Sequence, residues 1–155
     1  MDRGAFLGAL GAAAASCQRR PTASRISSRT VSLSPGITDA LFAIGAGGTV
    51  VARSDYCDFP PEVTRLPKVG SSITPNYEAI ARLEPTLIVS EDNAAARRRE
   101  LMELAPPLVL PWLSLDEVVR GIRQLGNVSN RATNADELAE RLDRRLRVRA
   151  PEVAP

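Results

Sequence analysis

The chain has 155 residues, with 20 basic and 18 acidic side chains, a formal net charge of +2, no histidine and two cysteines. So balanced a charge gives no field for nucleic acid or an anionic surface. Without an imidazole, Ser-His and Cys-His nucleophile pairs are excluded, and Cys17 and Cys57 lack metal-ligand spacing, so neither a catalytic site nor a metal site is expected. All but one of the basic residues are arginine, which reads as genomic bias.

Residues 1–17 read as an export signal of lipoprotein type. Asp2 and Arg3 open it, Ala5 to Ala15 is apolar without a charge, and Ser16-Cys17 follows small residues. That run is shorter than the roughly 20 apolar residues that span a bilayer. Cys17 is the candidate for lipidation, which would anchor the chain to a membrane. Lipoprotein sites usually carry leucine where Ala14 stands, and an ordinary cleaved signal is the alternative. Arg3-Gly4-Ala5-Phe6-Leu7 resembles a twin-arginine signal lacking one arginine, which leaves the export route open. Residues 18–28, rich in Arg, Ser and Thr, read as a tether.

Residues 29–126 read as one α/β unit, enough for a single core. Thr30 to Ser34 is a short alternating strand. Ser34 is placed to cap a helix with Pro35 in its first turn, and Ile37, Ala40, Leu41 and Ile44 form its apolar face up to Gly45. The N–H groups of Gly36 and Ile37 then stand at the positive end of that helix, where an acceptor group of a ligand can be held. Val50 to Ala52 is the next, parallel strand. Gly45 to Gly48 follows the helix and does not precede it, so it is a turn and not a dinucleotide fingerprint.

Two polar loops follow. Ser54 to Pro61 leaves the carboxyl end of a strand, the side on which parallel sheets bind ligands. Tyr56 offers a flat face and a phenol, with structural packing as the equal alternative; Phe59 is expected to pack beneath the loop, and Asp55 and Asp58 to bond nearby N–H groups. Cys57 reads as a small buried side chain. Gly70 to Thr74 is the second loop, expected to share one cleft wall with the first.

Asn76 is predicted to cap a helix with Tyr77, Ile80 and Leu83 facing inward, Glu78 exposed and Pro85 beyond its end. Thr86 to Ser90 is a buried strand; Asp92 or Asn93 is expected to cap a helix running through Leu104, with Arg97 to Arg99 on its solvated face. Leu108 to Leu110 is a fourth strand, stopped by Pro111. Ser114 to Glu117 is a capping box opening a helix with Val118, Val119, Ile122 and Leu125. A second box at Asn134 to Glu137 is expected to open a last helix with Ala135, Leu138, Ala139, Leu142 and Leu146 on one side. Residues 127–150 are assigned to a connector and this helix, and 151–155 to a tail.

Val31 to Gly45, Ser54 to Pro61, Leu66 to Gly70, Pro75 to Ile80 and Leu83 to Val89 together resemble the amino-terminal lobe of the periplasmic binding proteins for cobalamin, haem and iron-siderophores. The branch most similar is the cobalamin-binding proteins of ABC importers. The resemblance implies a Rossmann-like lobe with a short parallel sheet, followed by a long inter-lobe helix from Asn134 to Arg149. It also implies a non-catalytic role in capturing a small-molecule metal chelate and delivering it to a permease, in the periplasm. Glu78 matches the surface glutamate that docks on permease arginines, and Tyr56 a ligand-contacting tyrosine. Ser34, Pro35, Gly36, Ser72 and Ser90 complete the implied ligand wall, with Ser72 and Ser90 where a relative places tryptophans.

A second lobe is expected to be absent, in which case Leu138, Leu142 and Leu146 are expected to lie exposed and drive association unless they fold back on the first lobe or pair with another copy. Two other readings stay open: a single-lobe module that docks on a permease through Glu78 without ligand, and, disfavoured, an α/β enzyme.

Overall fold

The computed structural model describes residues 28–93 and 97–147. The expected export signal, Cys17, all but the last residue of the tether, the end of the inter-lobe helix and the tail lie outside them. Four strands, β1 (Thr30–Ser32), β2 (Val50–Ala52), β3 (Leu87–Glu91) and β4 (Pro107–Leu110), form one parallel sheet in the order β2-β1-β3-β4. Among the described residues five α-helices flank it: α1 (Pro35–Ala43), α2 (Tyr77–Ala81), α3 (Arg98–Met102), α4 (Leu115–Val128) and α5 (Ala132–Arg147).

β1 is central and buried along its whole length. The alternation of Thr30 and Ser32 with Val31 therefore does not mark a solvent face, because helices cover both sides of a parallel sheet. Ser32 is satisfied inside the protein, accepting from the Thr38 hydroxyl at 2.8 Å. On one face of the sheet Ile37 and Leu41 of α1, with Ile44 at its C-cap, meet Ile122 and Leu125 of α4 and Ala135 and Leu138 of α5. On the other, Ile80 of α2 and Leu101 of α3 pack against Val31, Leu33 and Ile88. Chain direction across the sheet reverses between β1 and β3, so their adjacent carboxyl ends form a topological switch point.

The expected caps form where the local chemistry is strongest. Ser34 Oγ accepts from Ile37 N–H at 3.5 Å with proline in the first turn, and Asn76 Oδ1 accepts from Ala79 N–H at 3.0 Å. The Ser114 capping box is complete in both directions. Bonds from the backbone N–H groups of Leu113, first, and Ser114 hold the Glu117 carboxyl below its ordinary value of 4.5.

Two helix starts differ from expectation. α3 begins at Arg98, not after Asp92 or Asn93, and ends at Met102; its N-cap position is Arg97, which makes no side-chain cap bond. Arg97 to Arg99 are exposed as expected. α5 begins at Ala132, so Asn134 lies inside the helix and does not cap it. The reason is the abrupt end of α4. Asn130 turns left-handed (φ 56°), and Arg131 N–H bonds the Gly126 carbonyl at 2.7 Å, the outer bond of a Schellman motif that restarts helix at once.

That turn folds α5 back along α4, and Gly126 makes the close approach possible, since a Cβ there would collide with that of Ala135. Ala135, Leu138 and Ala139 are buried and Leu142 packs against the same core. The expected exposed leucine face thus shrinks to Leu146, which is 47% exposed.

Candidate functional site

Everything the sequence marked for binding, apart from Glu78, lies at or beside the carboxyl edge of the sheet. After β2 the chain is pinned from beneath by Arg53, whose side chain is 6% exposed. Its guanidinium donates to the carbonyl of Cys57 at 2.6 Å and of Leu66 at 3.3 Å, and approaches Asp58 at 3.5 Å. Cys57 points inward, 3.1 Å from the Thr38 hydroxyl, as its size suggested. Tyr56 and Phe59 are turned outward, 72% and 66% exposed. For Phe59 this reverses the expectation that it packs beneath the loop; the interior positions of the segment are taken by Cys57 and Val63.

The second loop is joined to the first. Asp55 N–H donates to the Gly70 carbonyl at 2.8 Å, and Gly70 N–H returns a bond to Asp55 Oδ1 at 3.3 Å. Gly70 is required here: its φ is +86°, and a Cβ would collide with the Thr74 carbonyl. The Ser71 hydroxyl closes the loop, accepting from Ile73 and Thr74 N–H at 3.3 and 3.2 Å. Ser72 N–H donates to the Leu33 carbonyl at 3.1 Å, which carries this loop across to the end of β1 and the start of α1. The two loops are therefore joined, and the second is bonded to Leu33, two residues before Pro35.

The remaining candidates divide by exposure. Pro35 is exposed and Gly36 and Ser72 are half-buried, whereas Ser34 and Ser90 are each 1% exposed and lie beneath the surface. Ser90 donates to the Glu91 carbonyl at 3.3 Å. The Ile37 N–H that was to be free for a ligand is taken by Ser34. Glu78, in the first turn of α2, is exposed and pairs with Arg82 one turn on.

Three residues of this edge carried no functional weight in the sequence. Arg53 and Glu91 each follow an apolar strand run, and a charge in that position was the signal. Glu91 receives the Ser34 hydroxyl in a short hydrogen bond. Trp112 sits between α1 and α4: a Cβ on Gly36 would lie 2.8 Å from its Nε1, and one on Gly121 2.5 Å from its Cζ3. From Gly36 and Trp112 an apolar groove of about 310 Å³ runs past Asp39 and Phe59 to Leu138 and Leu142. Burial raises the Asp39 carboxyl above its ordinary 3.8.

Among the described residues no group of acidic or cysteine side chains is arranged to hold a metal ion, and no helix is long and apolar enough to cross a membrane.

The sequence profile of the periplasmic binding proteins matches residues 30–153. A vitamin B12-binding protein of Pectobacterium atrosepticum is 33% identical over 117 residues, 74% of this chain and 42% of that protein. The crystal structure of a periplasmic vitamin B12 binding protein of Vibrio cholerae superposes with a TM-score of 0.68 at 32% identity, covering 77% of this chain and 48% of that one. A periplasmic heme binding protein from Pseudomonas aeruginosa shares the fold at a TM-score of 0.70 and 18% identity, over 77% of this chain and 44% of that one. The chain spans less than half the length of the curated relatives it matches.

Proposed function

The chain belongs to the periplasmic binding protein family, and on that premise we propose that it captures cobalamin or a related metal chelate, haem and ferric siderophores included, and delivers it to an ABC-importer permease. The observation that carries the reading is the joined pair of loops at the carboxyl edge of the sheet, in which Tyr56 is exposed and half-buried Ser72 is bonded to the Leu33 carbonyl at the end of β1. Pro35, Gly36, Tyr56 and Ser72 supply contact surface, and Ser34 and Ser90 shape it from below. A flat aromatic face suits a planar chelate ring. Export to the periplasm and anchoring through Cys17 belong to the same proposal, as does the lobe at 29–126 with its connector and inter-lobe helix at 127–150.

Glu78 is the proposed permease contact. It is exposed but paired with Arg82, so docking on a permease arginine exchanges one ion pair for another. That exposure also favours a second reading, a lobe that docks through Glu78 and holds no chelate.

Calorimetric titration of the chain with cyanocobalamin, haem and a ferric siderophore tests the first reading. Saturable binding of one chelate, weakened about tenfold or more in Tyr56→Ala, is expected. Absence of binding together with permease capture that Glu78→Arg abolishes would instead establish the docking module.

A further inference from the structure

We propose that Glu91 is a selectivity residue of this edge, disfavouring chelates that present a carboxylate to the first turn of α1. The inference rests on the chelate-binding reading above. A helix N-terminus attracts anions through its unpaired N–H groups and its dipole, and α1 starts at the switch point, where a ligand is met. In this chain the protein has put its own carboxylate there. The Ser34 hydroxyl caps α1 by accepting from Ile37 N–H and donates to Glu91 Oε1. Ser34 is 1% exposed and Glu91 half-buried at the end of β3, so the acid is fixed between the cap and the open edge.

The surroundings do not cancel that charge. Pro35 has no N–H to offer an anion. Arg53, at the end of β2, spends its guanidinium on backbone carbonyls and Asp58. Lys68 is exposed, and among the described residues no ion pair joins it or any other cation to Glu91. Asp55 and Asp92 are exposed at the ends of the neighbouring strands. A propionate approaching α1 meets a like charge in a partly desolvated place, which is costly. The amide rim of a corrinoid brings N–H donors instead, and a carboxylate accepts them.

The test is calorimetric titration of the wild-type chain and of Glu91→Gln and Asp92→Asn with cyanocobalamin, which is neutral, and with haem, which carries two propionates. Glutamine keeps an acceptor for the Ser34 hydroxyl. The expected result is a haem affinity about tenfold higher in Glu91→Gln with cyanocobalamin changed by less than about threefold, and a near wild-type ratio in Asp92→Asn. As a comparison that needs no variant, haem dimethyl ester should bind the wild-type chain more tightly than haem. An unchanged ratio in Glu91→Gln, an equal change in Asp92→Asn, or weaker binding of the ester overturns the role of Glu91 and leaves the chelate-binding reading standing. Failure of the wild-type chain to bind cyanocobalamin or haem overturns the role of Glu91, and failure with a ferric siderophore as well overturns both.

Discussion

The two faces of the sheet bury their apolar side chains with different means. On one, α4 and α5, 14 and 16 residues long, fold into a hairpin that packs with α1 over the strands. On the other, α2 and α3 have five residues each, and long polar loops precede α2. A helix of that length does not hold itself together in water. Its shape is set by what it caps onto and packs against. The first face thus supplies stability, while the loops that lead into α2 carry the proposed binding surface and α2 itself carries Glu78, the proposed permease contact.

Truncation on the two faces should expose this asymmetry most strongly. Leu125→Ala, in a site 0% exposed beneath the hairpin, is expected to cost about 3–5 kcal/mol in chemical denaturation, and Leu101→Ala, 2% exposed under α3, nearer 2 kcal/mol because a short helix can settle into the space. Equal costs would show that the faces share the load. Gly70→Ala comes next, at about 1–3 kcal/mol from forced backbone strain. Its effect should concentrate in faster amide exchange from Asp55 to Thr74; uniform exchange across the sheet would contradict a separable loop layer.

A smaller effect of opposite sign is expected at Tyr77, whose hydroxyl is buried without a hydrogen-bond partner in the layer beneath α2. Tyr77→Phe should leave stability unchanged or raise it by up to about 1 kcal/mol. A clear loss in thermal melting would reveal a bond formed by that hydroxyl. The smallest effect is electrostatic and belongs to the hairpin face. Because the folded protein holds Glu117 below 4.5, its contribution is present above that value and fades as pH falls through the folded value. Asp39, raised by burial, works the other way and costs stability as pH rises past 3.8. Glu117→Gln should flatten the acid limb of the melting-temperature profile, and an unaltered limb would remove the capping box as its source.

What could be read from the sequence was mostly local. Ser34, Asn76 and Ser114 cap helices because their side chains reach N–H groups three residues on, a relation contained in adjacent residues. Strand and helix order followed from apolar runs between turn residues. Asn134 was misplaced because Asn130, taking the left-handed turn usually given to glycine, restarts the helix earlier. At the edge, the loops and Tyr56 were legible from their position after a strand, whereas the Ser34–Glu91 contact joins residues 57 apart. Arg53 reads as an exposed charge until the carbonyls of Cys57 and Leu66 are seen around it. Of the outcomes open for Leu138, exposure, pairing with another copy or folding back on the first lobe, the structure shows the last, with α4 as the partner.

The indole of Trp112, wedged against Gly36 at its pyrrole edge and Gly121 at its benzo edge, ties three distant positions into one steric unit. A Cβ at either glycine would force the tryptophan ring to shift, and loss of the tryptophan leaves space on both sides. Descendants of this chain should therefore keep all three together or change them in a fixed order, the large ring first and the glycines afterwards.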